Sequence, residues 1–153
     1  MINATTEAQI RARFIEMGIQ CNQEIPLTVD EMRTLHEHKL PPGESPKCLL
    51  ACVYRKANWL DDQGMFVSDS VRAIIETDYK DEPEKQNNVK QLFEQCSKVN
   101  EEKVSDGTKG CDRSALLFEC LTQNAPKGRT VSQGGPGLLL LKGPPIFSHI
   151  VYF

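Results

Sequence analysis

Cys48 and Cys52 stand four residues apart in the run Cys48-Leu49-Leu50-Ala51-Cys52. On a helix this spacing places both sulfurs on one face, one turn apart. Each can then hold a different part of the chain against the same turn. Ser45-Pro46 lies just upstream, a good N-cap residue followed by proline, which suits a first helical position. The spacing predicts a central helix over about residues 46–59. The remaining chain is expected to be helices tied to it through Cys21, Cys96, Cys111 and Cys120.

At 153 residues, the chain is long enough for one domain with a real core and an extension. Its formal charge of −3 argues against a nucleic-acid or anionic-membrane partner, both of which call for a basic surface. No apolar run approaches the roughly 18 residues of a membrane-spanning helix. The six cysteines include no C-x-x-C pair, and none of the 3 histidines lies near a cysteine pair, so a metal site is not expected. Disulfides are the better reading, and they imply an oxidising compartment. Residues Met1 to Glu7 show neither a basic flank nor an apolar stretch of the signal-peptide kind. The expectation is therefore a mature, secreted form carrying a start methionine.

Helical signals follow in order. Thr6-x-x-Gln9 is a capping box, and Ile10, Phe14, Met17 and Cys21 follow on one stripe, predicting a helix over about 6–22. Thr28-x-x-Glu31 opens a second, short helix with Met32 and Leu35, stopped by Leu40-Pro41-Pro42-Gly43. The central helix shows Leu49, Val53 and Ala57 on one stripe. Asp61-Asp62-Gln63-Gly64 is a turn rather than an acid–base pair. Val67, Val71, Ile74 and Ile75 mark a fourth helix. After Asp81-Glu82-Pro83, Val89, Leu92, Phe93, Cys96 and Val99 mark a long fifth. Asp112 is expected to cap a sixth, carrying Ala115, Leu116, Phe118, Cys120 and Leu121 and ending near Gln123. No stretch of 1–124 alternates like a strand, so the class is all-α, a six-helix unit.

Residues 125–153 differ. Glycines and prolines recur among Leu138 to Leu141, Ile146-Phe147 and Ile150 to Phe153. That density does not support a helix, yet the apolar content is too high for a solvated linker. Such a tail is expected to bury itself in the domain, in a partner, or in an aggregate.

The cysteine intervals of 26, 3, 43, 14 and 8 residues now become specific. The 3 and the 8 resemble the fixed intervals of the six-cysteine insect odorant-binding proteins, the pheromone- and general-odorant-binding family. The run Cys111-Asp112-Arg113-Ser114-Ala115, closing on Cys120, is similar to that family's sixth helix, and the resemblance covers about residues 5–124. The 43-residue interval and the tail are long for the family. Six cysteines alone allow 15 pairings. The resemblance implies one of them: Cys21–Cys52, Cys48–Cys111 and Cys96–Cys120. It agrees with Cys48 and Cys52 being poorly placed to bridge each other within one helix.

The resemblance also implies a disulfide-stapled domain around an apolar cavity. Its function would be reversible, non-catalytic carriage of odorants, pheromones or fatty-acid-like molecules in an extracellular fluid, with no cofactor and with a chemosensory receptor as a further partner. A dry cavity of roughly 300 Å³ costs about 7 kcal/mol at about 24 cal/mol per Å³, which gives three staples a purpose. The family's pockets are lined by inner helix faces. That makes Phe14 and Met17, Val53, Tyr54 and Trp59, and Phe66, Ile74 and Ile75 the ligand candidates, with Leu92, Phe118 and Leu121 from the last two helices. In the tail, Ile146, Phe147, Val151, Tyr152 and Phe153 are candidates for a lid or pocket wall. His149 is a candidate pH switch, since imidazole titrates in mild acid.

Other readings are a non-olfactory lipid carrier on the same scaffold, or a protein that self-associates, for instance as a homodimer, through its tail. A secreted phospholipase would need a histidine one helical turn from an aspartate and a calcium loop, and His36-Glu37-His38 offers neither. His36 and His38, two apart, face differently on a helix and do not chelate one ion together. Gly134-Gly135-Pro136-Gly137 lacks the Lys-Ser/Thr of a phosphate loop.

Overall fold

Both capping boxes form, and each starts a helix. The computed structural model describes residues 6–124. In it the Thr6 side chain accepts from the Gln9 amide at 3.1 Å while the Thr6 amide donates to Gln9 Oε1 at 2.8 Å. Thr28 and Glu31 repeat the arrangement. Two of the four N–H groups left over at each helix start are thereby satisfied. The helices are α1 (Glu7–Glu24), α2 (Val29–His36), α3 (Glu44–Lys56), α4 (Ser68–Asp78), α5 (Pro83–Cys96) and α6 (Cys111–Asn124). The β interaction recorded among the described residues is an isolated antiparallel bridge between Leu60 and Phe66. The tail predictions, His149 included, lie outside the described residues.

Two helix starts differ from expectation. Helix α3 begins at Glu44, with Gly43 as its N-cap at φ 103°, so Ser45 and Pro46 are both in the first turn and Ser45 caps nothing. The physical reason is Gly43: it takes a backbone conformation that L side chains rarely adopt, and the chain turns there. Pro46 is tolerated because the first N–H groups of a helix have no partner within it. Helix α6 begins at Cys111, and Asp112 is its second residue. The Asp112 amide instead donates to Asp106 Oδ2 at 3.0 Å. The Asp112 carboxylate accepts from the Ser105 hydroxyl and amide at 2.7 and 3.0 Å and pairs with Lys47 of α3 at 3.1 Å. Beyond Cys96 the fifth apolar run continues as a 3-10 helix, Ser97–Glu101, which keeps Val99 buried.

The predicted disulfides are the ones present: Cys21–Cys52, Cys48–Cys111 and Cys96–Cys120. They join α1 to α3, α3 to α6 and α5 to α6, in register with the noncovalent packing of α3 on α6 and α1, and of α5 on α6. Helix α4 packs on α5 and carries no cysteine. The 61–64 turn closes on Asp61, whose side chain accepts from the Gln63 and Met65 amides. Gly64 then lies so close to the loop before α6 that a Cβ there would stand 2.9 Å from the Thr108 carbonyl oxygen.

Candidate functional site

The site begins with how α3 stops. Ala57 ends the helix and Asn58 takes the left-handed conformation, φ 63°. The Trp59 amide then reaches back to the Tyr54 carbonyl at 2.8 Å, and the Asn58 amide to that of Arg55 at 3.0 Å. This is a Schellman motif, whose usual apolar contact joins the residues that are here Trp59 and Tyr54. Their rings stack at 5.1 Å.

Trp59 is thereby swung into the middle of an aromatic row. It lies 5.5 Å from Phe14 of α1 and 4.9 Å, edge on, from Phe93 of α5, and Phe93 stacks in turn on Phe66 at 6.1 Å. Phe66 is held by its backbone, which exchanges two hydrogen bonds of 2.9 and 2.8 Å with the Asn100 side chain.

Beside Trp59 lies a cleft of about 260 Å³ between α1, the end of α3 and α4. Its apolar lining is Phe14, Met17, Ala57, Trp59 and Ile74, and exposed Arg13, Glu16, Gln20, Lys56 and Asn58 form its rim. Arg13 is fixed across the gap: it donates to Asp78, the last residue of α4, at 2.6 Å, and the Asp78 side chain is only 2% exposed. On the other side of α4 a smaller cleft, about 160 Å³, is lined by Phe66, Val71, Ile75 and Phe93, with Ser68, Arg72, Lys90, Glu94 and Ser97 at its edges. Both volumes lie below the roughly 300–1,000 Å³ usual for small-ligand pockets.

The structure therefore brings Phe14, Met17, Trp59 and Ile74 together at one cleft and puts Phe66 and Ile75 at the other. Ile74 and Ile75 part because neighbouring helical residues point about 100° apart. Val53, Tyr54, Leu92, Phe118 and Leu121 are buried in the core and line neither cleft. The ion pair of Arg13 and Asp78 escaped the sequence reading. A signal for it was present, since Asp78 falls on the Val71–Ile75 stripe, and a carboxylate on a buried face calls for a cation. Glu44, Cys48 and Cys111 present three metal-type donor atoms within 4.8 Å. The two sulfurs are bonded to each other, however, and it is thiolates that bind metals.

The PBP/GOBP family model matches residues 3–124. The chain belongs to this family. General odorant-binding protein 19d of Drosophila melanogaster is 24% identical to it over 111 residues, 72% of this chain and 71% of the relative. The solved structure of odorant-binding protein dmelOBP28a from Drosophila melanogaster aligns with a TM-score of 0.59 at 17% identity, covering 77% of this chain and 93% of that one. At that identity the likeness concerns the fold. In this PBP/GOBP member the helical unit and its three disulfides are the family's, and each of the two clefts flanking α4 offers apolar side chains in a concave setting.

Proposed function

We propose that this chain is an extracellular, non-catalytic carrier that binds small hydrophobic molecules reversibly, of the odorant, pheromone or fatty-acid-like kind. Family membership supports binding of this class, and three disulfides suit an oxidising, extracellular fluid. The observation that carries the reading is the cleft at Trp59, where Phe14, Met17, Trp59 and Ile74 from three parts of the chain converge under a polar rim. In this reading apolar burial supplies the affinity and the rim leaves the mouth wetted. A ligand burying about 300 Å² of apolar surface gains roughly 7.5 kcal/mol before the cost of association. Affinities of micromolar order or weaker follow.

Trp59 is the chain's single tryptophan, so its fluorescence reports on the cleft without labelling. The test is titration with an apolar naphthylamine probe, followed by displacement with volatile alcohols, ketones and aromatic compounds. Saturable transfer of energy from Trp59 to the probe, reversed by the volatiles and weakened by Met17→Arg, is the expected result. No saturable binding of probe or volatiles would overturn the carrier reading.

A further inference from the structure

The smaller cleft is edged by two opposite charges that do not meet. Arg72 stands on α4 and Glu94 on α5, and both line it. The two helices are joined by residues 79–82 and pack on each other as an antiparallel pair. Lys90 of α5 bonds Glu76 of α4 at 2.7 Å. One helical turn from that bridge, Arg72 and Glu94 stand level on the two walls. Arg72 nevertheless stands 3.6 Å from Asp69, beyond hydrogen-bond reach, and the Asp69 side chain is 95% exposed. Glu94 makes no ion pair among the described residues. Beneath the two charges lies an apolar floor. It is made by Val71 and Ile75 of α4 and by Phe66 and Phe93, whose rings stack at 6.1 Å, and all four are buried. At about 30 Å³ for each atom the size of a water, the cleft's 160 Å³ has room for roughly five carbons. A guanidinium and a carboxylate held apart over such a floor are complementary to a molecule that carries both charges and a short hydrocarbon chain.

We propose that the smaller cleft is a second ligand site, separate from the one at Trp59, and that it takes a free apolar amino acid as the zwitterion, with leucine as the type. The carboxylate meets the Arg72 fork, the ammonium meets Glu94, and the side chain lies on the floor. A plain carboxylic acid would set its charge against Glu94, and a plain amine would set its own against Arg72. A zwitterion does neither. Both charged ends stay at the mouth in contact with water, so the side chain alone is desolvated. An isobutyl group fits the space, and an indole does not. Ser68, one turn before Arg72 on the same face, adds a hydroxyl at that edge. Exposed charge pairs are weak, so an affinity of about millimolar order follows. Nothing in this assignment depends on what lodges at Trp59.

The test is an NMR titration of the ¹⁵N-labelled full chain with leucine, 4-methylpentanoate and 3-methylbutylamine at neutral pH. The last two are leucine without its ammonium and without its carboxylate. Leucine should shift amides of residues 66–76 and 90–97 saturably, and each of the others should bind about three- to fivefold more weakly. Arg72→Gln should lower leucine to the affinity of the amine on the parent, and Glu94→Gln to that of the acid. Both side chains are exposed, so the variants should fold as the parent does. The leucine shifts should be unchanged with the naphthylamine probe already bound at Trp59. No saturable shift with leucine, a single-charge analogue bound as tightly as leucine, leucine affinity unchanged in either variant, or loss of leucine binding to the probe would each overturn the site. None of these outcomes would touch the carrier reading.

Discussion

Trp59 meets Tyr54 twice: its amide donates to the Tyr54 carbonyl at 2.8 Å, and its ring stacks on the Tyr54 ring at 5.1 Å with 24° between the planes. The stop signal of α3 and the centre of the aromatic row are therefore one piece of structure. A helix ending one residue later would turn the indole elsewhere and take the lining of the larger cleft with it.

The first prediction concerns the residue that makes this stop possible. Asn58 holds φ 63°, a conformation open to glycine and asparagine and strained for other L residues. Asn58→Ala should cost about 1 kcal/mol, whereas Asn58→Gly should lie close to the parent. Urea unfolding followed by Trp59 fluorescence measures both. An alanine variant as stable as the parent would mean that the helix stop does not depend on this conformation.

Acid stability should carry the mark of Asp112. Hydrogen bonds from the Ser105 side chain and amide, and then from Lys47, lower its pKa from the ordinary 3.8 to about 2. A carboxyl with a depressed folded pKa contributes stability that is present above its unfolded pKa and lost as pH falls toward the folded one. The loss should fall between about pH 4 and pH 2. Thermal midpoints of the parent and Asp112→Asn across that window should converge as the pH drops. Parallel curves would remove Asp112 from the acid response.

His38 acts in a milder range. It occupies the left-handed position after α2, φ 66°, and burial lowers its pKa from 6.5. Below that value the unfolded chain binds a proton that the folded chain resists, so stability falls as pH drops through about 6.5 toward the lower folded value. His38→Asn keeps a residue suited to the left-handed turn and removes the titration. Its stability should vary less between pH 7 and pH 5 than the parent's, with unfolding midpoints as the readout. An identical pH dependence would assign the effect to other groups.

Several of these features were legible in the sequence because they are local. Thr6-x-x-Gln9 and Thr28-x-x-Glu31 specify their own hydrogen bonds within one turn, and the cysteine intervals carried the pairing through the family resemblance. At the start of α3, Ser45-Pro46 satisfies a local rule that the backbone freedom of Gly43 overrides. Asp112 fits the local rule for a cap, but the group that bonds its amide, Asp106, lies six residues upstream across a loop. The site was legible only in part. Periodicity tells which face of a helix turns inward, and Phe14, Met17 and Ile74 lie on such stripes, whereas Trp59 lies past the end of α3 and is placed by the helix stop. It does not tell where neighbouring helices leave a gap, which is why Val53 and Leu121, on equally apolar stripes, end up in the packed core.

The last prediction follows from where the disulfides are not. They link α1, α3, α6 and α5 into one covalent series, and α4 stands outside it with a cleft on either side. The bond from Arg13 to Asp78 ties α4 to α1 across the larger cleft. The Asp78 carboxylate is nearly buried, so losing its partner strands a charge, while Arg13, 42% exposed, is partly screened by water. A cost of about 1–3 kcal/mol for Arg13→Met follows, below that of breaking a fully buried pair. Local opening should draw on the same difference. Amides of α4 should exchange with deuterium faster than those of α3 and α6, and Arg13→Met should accelerate α4 while leaving α6 near its parent rate. Mass-spectrometric exchange on peptic fragments resolves these segments once the disulfides are reduced after quenching. Protection of α4 equal to that of α3 would show that packing on α5 alone holds it. In that case a ligand in the larger cleft would have to displace Trp59 rather than move the helix wall.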